Sequence, residues 1–136
     1  MITLDTSAIL ALLNRNDADH VRCRSTLEAE RRPYLVPAGI LAEIGFMVEE
    51  RLGLEALDGL LADVEVGAFD LDCGEDDIRR IRQLVRRYAD LPLGFADASV
   101  IACAERFGGR VLTLDLRDFA VVAREGTITL ALEEPG

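Results

Sequence analysis

The chain has 136 residues, the length of one ordinary domain, and half of them are hydrophobic, enough for a core that needs no disulfide staples. No apolar run reaches the roughly 18 residues of a membrane span, and Met1-Ile2-Thr3-Leu4-Asp5 lacks the basic start of a signal peptide, so a cytoplasmic protein is expected. A net charge of −10 counts against nucleic-acid binding by bulk charge, and three cysteines without a CxxC pair argue against a disulfide framework or zinc site.

Those cysteines, Cys23, Cys73 and Cys103, are expected as reduced thiols in the core. All 15 basic residues are arginine. Arginine's planar fork suits phosphate, although the codon bias of a GC-rich genome explains the same usage more simply.

Ile2 to Asp5 reads as a short buried strand, and Thr6 and Ser7 can cap a helix to about Arg15. A second helix is expected from Asp17 to Arg31, then a strand from Tyr34 to Val36. Pro37 suits the start of a third helix to about Leu52; Gly53 interrupts it, and a fourth runs to about Val64. Phe69, Leu71 and Cys73 alternate with polar residues, as in a half-exposed strand. Asp76 to Tyr88 is an Arg-rich amphipathic helix, and Leu91 to Gly94 a loop. Phe95 to Phe107 is a nearly all-apolar helix ended by Gly108-Gly109. Arg110 to Leu114 is a buried strand, and Ile128, Leu130 and Leu132 alternate through a last half-exposed one.

Alternating strands and helices predict a parallel α/β sheet with right-handed crossovers. The third and fifth strands look like edges, as the order 3-2-1-4-5 requires. Ligands bind such sheets at the strands' carboxyl ends, where the order reverses. Here that lies between the first and fourth strands.

Acids are common, 25 of 136 residues, so their placement decides their meaning. Asp5 is the only charge from Met1 to Asn14, Glu43 the only one from Pro37 to Val48, and Asp97 the only one from Leu91 to Ala104. Asp115 closes the apolar run Val111-Leu112-Thr113-Leu114. Lone buried carboxylates are costly unless paired, hydrogen-bonded or metal-bound. All four could converge on one end of the sheet, where they would repel one another without a cation. Oxygen-only ligands suit Mg²⁺ or Mn²⁺. Taken singly, each has a plainer reading. Asp5 and Asp97 could serve helix N-termini, Glu43 could be a surface residue, and Asp115 could open a turn with Arg117 and Asp118.

Other site chemistry is poorly served. His20, the only histidine, reads as a surface residue among Asp17, Asp19 and Arg22, which disfavours a His-based triad. No Walker A or GxGxxG motif occurs. Water activated by a metal ion needs no histidine.

The ordered set Asp5-Thr6-Ser7-Ala8, Glu43, Asp97-Ala98 and Thr113-Leu114-Asp115-Leu116-Arg117-Asp118-Phe119 resembles the PIN-domain ribonucleases, and among them the VapC-type toxins of bacterial toxin–antitoxin pairs. The likeness spans nearly the whole chain. It implies a single PIN-like nuclease domain over 1–136 and cytoplasmic, Mg²⁺-dependent (Mn²⁺ substituting) endonucleolytic cleavage of structured tRNA or rRNA. Asp5 and Asp97 match the positions that most directly hold metal. Glu43 and Asp115 match the acids that complete the pocket and leave a place for a second ion. Thr6 matches a hydroxyl that orients the first Asp or touches the scissile phosphate, and Asp118 a supporting acid.

On the Arg-rich helix, Arg79, Arg82 and Arg86 share a face at helical spacing and could guide RNA phosphates. The alternative is a solvated face balanced by Glu75, Asp76 and Asp77. Leu54, Leu57, Leu60 and Leu61 form an apolar stripe that is either core or, by the resemblance, part of a groove for a cognate antitoxin. A homodimer is also implied. The rivals are weaker. A phosphotransfer protein of receiver or dehalogenase type would want a lysine, and a flap-type DNA nuclease would want more chain. A degenerate PIN-like RNA-binding or scaffold module would not need the acidic set intact.

Overall fold

The computed structural model describes residues 1–132. Its elements in chain order are β1 (Ile2–Leu4), α1 (Thr6–Leu13), α2 (His20–Glu28), β2 (Tyr34–Pro37), α3 (Ala38–Leu52) and α4 (Leu54–Glu65). There follow β3 (Asp70–Asp72), α5 (Ile78–Arg87), α6 (Phe95–Arg106), β4 (Arg110–Leu112), α7 (Leu116–Ala123) and β5 (Thr129–Leu130). The five strands are parallel in the order β3-β2-β1-β4-β5, as expected. The chain winds one way from β1 to β3, then returns past β1 and winds the other way. With right-handed crossovers, that reversal puts helices on both faces of the sheet.

β1 lies between β2 and β4, with Thr3 opposite Leu35 on one side and Val111 on the other. Ile2, Leu4, Val36, Val111 and Leu112 are fully buried, which explains the apolar runs in these strands. Each such side chain contributes about 1.5–3 kcal/mol of burial. α6 is buried all round from Ala98 to Ala104 and packs against β1, β2 and β4. Its small residues allow the close approach. A Cβ added to Gly39 of α3 would sit 2.5 Å from Ser99 Oγ and 2.8 Å from Ser99 Cβ.

Four expectations need correcting. The cap of α1 is Asp5, whose Oδ1 accepts from Ala8 N at 3.1 Å, while Thr6 and Ser7 are the first helical residues. α7 is an additional helix, where Asp115 to Asp118 looks like a turn. Leu116, Phe119 and Val122 recur every three residues and all are buried. At β3, Phe69 is buried but Leu71 and Cys73 are exposed, because this edge strand is not covered at that point. Cys73 is therefore not a core thiol. Cys23 and Cys103 are: burial pushes them up to about 11 and about 12, which leaves them unreactive.

Candidate active site

Because β1 ends at Leu4, the next residue must both leave the sheet and start α1. Asp5 does this with its backbone N–H on Leu112 O and its side chain capping the helix. The carboxylate is 4% exposed and makes two further bonds. Ser7 Oγ donates to Oδ1 at 2.6 Å, and Thr113 Oγ1 donates to Oδ2 at 2.6 Å. Each hydroxyl in turn accepts a backbone N–H, Leu114 N on Ser7 and Asp115 N on Thr113, both at 2.9 Å. Two relays thus run from the loop after β4 onto the two oxygens of Asp5. They tie the ends of β1 and β4 together at the switch point. Capping alone therefore does not account for Asp5. Burial holds its pKa above the ordinary value, and the hydroxyl and amide bonds oppose that rise only in part.

Asp97 lies in the first turn of α6, where the helix dipole favours an anion. Even so, its pKa is pushed up to about 6, by burial first and then by the charges of Asp5, Asp115, Asp118 and Glu43. Asp115 stands at the N-cap position of α7. Its pKa too is raised, by burial and then by the charge of Asp118 in the first turn of α7, while the Asp118 backbone N–H opposes that rise in part. Glu43 is on an exposed position of α3 and accepts from Thr6 Oγ1 at 2.9 Å. Thr6 therefore orients Glu43; it is Ser7 and Thr113 that orient Asp5. Neither of these two stands out in the sequence, where the available signal is a hydroxyl beside each strand-end acid.

The structure thus brings Asp5, Glu43, Asp115 and Asp118 within electrostatic reach of Asp97 at the carboxyl end of β1 and β4. None of the five forms an ion pair with an arginine among the described residues. Nor do any three acidic, His or Cys side chains among those residues close on one point in a way that would grip an ion. Asp5 is turned onto its hydroxyls and Glu43 onto Thr6. Like charges elsewhere in the cluster favour separation.

The arginines of α5 divide. Arg80 donates to Glu105 and Glu125, and Arg87 pairs with Glu125 at 2.7 Å. Arg79, Arg82 and Arg86 make no ion pair among the described residues. Asp77 does not balance them: it is taken by Arg106, which also holds Asp72. On α4, Leu60 is core and Leu57 packs against it, while Leu54 and Leu61 face solvent. His20 Nδ1–H donates to Ala11 O at 2.9 Å, far from any nucleophile role.

A parallel sheet wound in both directions, with acids at its switch point, defines a doubly wound α/β domain rather than one protein. Comparison narrows it. The PIN domain family model matches residues 2–125. The chain is 31% identical over 121 residues to Ribonuclease VapC26 of Mycobacterium tuberculosis, covering 88% of this chain and 90% of the relative. Its fold matches the crystal structure of Mycobacterium tuberculosis VapC20, described as a sarcin-ricin loop cleaving toxin. The TM-score is 0.79 at 21% identity, over 90% of this chain and 95% of that one. A chain in the structure of VapBC2 from Rickettsia felis, bound to a DNA fragment from their promoter, matches with TM-score 0.68 at 17% identity, over 96% and 97%. The chain therefore belongs to the PIN-domain family, on its VapC-type ribonuclease branch.

Proposed function

We propose that the protein is a Mg²⁺-dependent endoribonuclease toxin, with Mn²⁺ able to substitute, acting in the cytoplasm and neutralised by a cognate antitoxin. The observation that carries this is the set of carboxylates with no arginine partner among the described residues. In a chain with 15 arginines, Asp97 meets four other acids at one end of the sheet, and burial together with their charges raises its pKa to about 6. Their all-oxygen chemistry fits a hard divalent ion. Asp5 and Asp97 would hold it, with Glu43 and Asp115 completing the pocket and Asp118 supporting. When bound, the ion lowers the pKa of water and offsets the negative charge that develops on the phosphate.

The chain's own residues do the rest. Ser7 and Thr113 fix the two oxygens of Asp5, so that this carboxylate does not swing freely. Thr6 holds Glu43 at the rim, and by the family likeness its hydroxyl would touch the scissile phosphate. Arg79, Arg82 and Arg86 lie on the approach for RNA. Structured tRNA or rRNA is the substrate class that the family likeness supports. VapC20 and VapBC2 support the toxin role and the antitoxin partner, for which exposed Leu54, Leu61 and Phe46 on α3 and α4 offer apolar surface. The homodimer belongs to the same reading and is tested by sedimentation of the purified chain.

The competing reading, a non-catalytic RNA-binding or scaffold module, draws on one observation: no three donors converge as the side chains stand among the described residues. One experiment separates the two. Total bacterial RNA is incubated with purified protein in Mg²⁺ or Mn²⁺, in EDTA, and with Asp97→Asn. Discrete fragments from the wild type alone are expected. A folded, metal-binding sample that cuts nothing would favour the scaffold.

A further inference from the structure

We propose that Thr113 is a positioning residue for the metal site: its one hydroxyl sets both Asp5 and Asp115, and it leaves Asp5 a single open acceptor position, on Oδ2, for the ion. This rests on the ribonuclease reading above and adds to it which oxygen of Asp5 binds and what aims it.

A carboxylate offers about four lone-pair positions, two on each oxygen. Oδ1 of Asp5 accepts from Ser7 Oγ at 2.6 Å and from Ala8 N at 3.1 Å, so both of its positions are taken. Oδ2 accepts from Thr113 Oγ1 at 2.6 Å and, among the described residues, from no other donor. One position is therefore left, and it is on Oδ2. Asp5 is the strongest of the charges acting on Asp97, so its carboxylate stands close to the rest of the cluster. A single open position suits Mg²⁺, which keeps several of its waters and takes few protein oxygens.

The hydroxyl of Thr113 is held to this task. A hydroxyl has one proton to give. Ser7 Oγ and Thr113 Oγ1 are 3.4 Å apart, farther than either is from Asp5, so each spends its proton on the carboxylate. Thr113 also accepts the backbone N–H of Asp115 at 2.9 Å. That local turn fixes how the chain leaves β4, and so where Asp115 stands. The β-branch of threonine restricts χ1, and Thr113 is fully buried. Joining the strands does not require this side chain. Asp5 N already donates to Leu112 O at 3.2 Å, which ties the ends of β1 and β4 through the backbone. Ser7 differs from Thr113 in both of its bonds: it serves the filled oxygen, and the N–H it accepts is that of Leu114.

The test is Mn²⁺ binding to the RNA-free protein after EDTA treatment and dialysis, read from the EPR signal of free Mn²⁺ and so independent of cleavage. Wild type is compared with Thr113→Val, Thr113→Ser and Ser7→Ala, with urea unfolding of each apo protein alongside. Thr113→Val should bind Mn²⁺ about 10–100-fold more weakly, the usual loss when a group that orients a metal ligand is removed. The Mg²⁺ concentration for half-maximal RNA cleavage should rise by a similar factor. Thr113→Ser should restore most of both, and Ser7→Ala should lose less than Thr113→Val. Should Thr113→Val not fold, Thr113→Cys, whose thiol is only a weak donor, is held to the same expectation. The proposal is overturned if the folded variant binds Mn²⁺ as wild type does, or if Thr113→Ser binds no better than Thr113→Val. It is equally overturned if Ser7→Ala loses as much as Thr113→Val, which would deny Oδ2 its special place. If wild type binds no Mn²⁺ and cuts no RNA, the ribonuclease reading fails as well. Cleavage that depends on Asp97 but is indifferent to Thr113 sinks this inference alone.

Discussion

The two flanks of the sheet treat their carboxylates in opposite ways. On the side of β3, α5 and the end of α6, acids are matched: Arg106 holds Asp72 and Asp77, Arg80 holds Glu105 and Glu125, and Arg87 joins Glu125. Across the sheet, Arg110 holds Glu30. At the carboxyl ends of β1 and β4, Asp5, Asp97 and Asp115 have no such partner among the described residues, and each has a raised pKa. On the matched side the pKa of Glu105 is lowered by Arg80 despite burial. The chain thus has the means to neutralise acids and uses it where acids serve the fold. Where it does not, the repulsion is a cost to the apo protein, and a bound cation would relieve it.

That contrast can be broken most severely at Asp97. Asp97→Asn should reduce Mg²⁺-dependent RNA cleavage by about 10²-fold or more. Losing a group that only supports a metal ligand already costs roughly 10–100-fold. The same variant should fold well and melt slightly higher at pH 7 without metal. EDTA should abolish wild-type cleavage and leave the variant's melting point unmoved. A matched acid should behave in the reverse way. Asp77→Ala leaves Arg106 without its main partner, and Arg106 is partly solvated, so the cost should be about 1–3 kcal/mol rather than the full penalty of a buried pair. Urea unfolding would read it. Unchanged stability would mean that the pairing on this flank is not what holds α5 against α6.

A third change acts on geometry instead of charge. Gly39 and Ser99 mark a close approach of α3 and α6, and Glu43 is one turn beyond Gly39. Gly39→Ala should force the helices apart at a cost of about 1–2 kcal/mol, the overpacking penalty less alanine's helix preference. Ser99→Gly in the same chain should restore most of that, measured by thermal melting.

Much of this is legible in the sequence because burial leaves a pattern. β1, β2, β4 and α6 read as apolar runs; Asp5 and Asp115 close two of them, Asp97 interrupts a third, and Glu43 stands alone in the apolar first half of α3. The strand order follows from which runs are unbroken. What is not legible depends on partners distant in sequence. Nothing in Asp5-Thr6-Ser7 says that Ser7 and Thr113, 106 residues apart, converge on Asp5 while Thr6 turns to Glu43. Nor does the run of arginines in α5 say which are matched, since Glu105 and Glu125 lie on other helices and turns. α7 escapes a sequence reading for a different reason. Its acidic start, Asp115 to Asp118, serves equally as a turn and as a helix N-terminus.

The smallest expected effect is the one that tests the contrast most directly, because it needs no substrate. Asp97 ionises near pH 4 in the unfolded chain and at about 6 in the folded one. Between those values the unfolded state has released its proton and the folded state has not, so stability must fall as pH rises. The sign is opposite to that of a carboxylate paired with arginine. Allowing for partial solvent exposure, the fall from pH 4 to 7 should be on the order of 1 kcal/mol from this group. Asp97→Asn should flatten that part of the curve, measured by urea unfolding in EDTA at each pH. Saturating Mg²⁺ should flatten or invert it for the wild type, since an ion that binds the ionised carboxylates favours the folded state more as protons leave. A wild-type apo protein whose stability instead rises steadily from pH 4 to 7 would mean that the matched flank outweighs the unmatched one. If Asp97→Asn then left that rise unchanged, the cluster would not carry the strain that a cation is proposed to relieve.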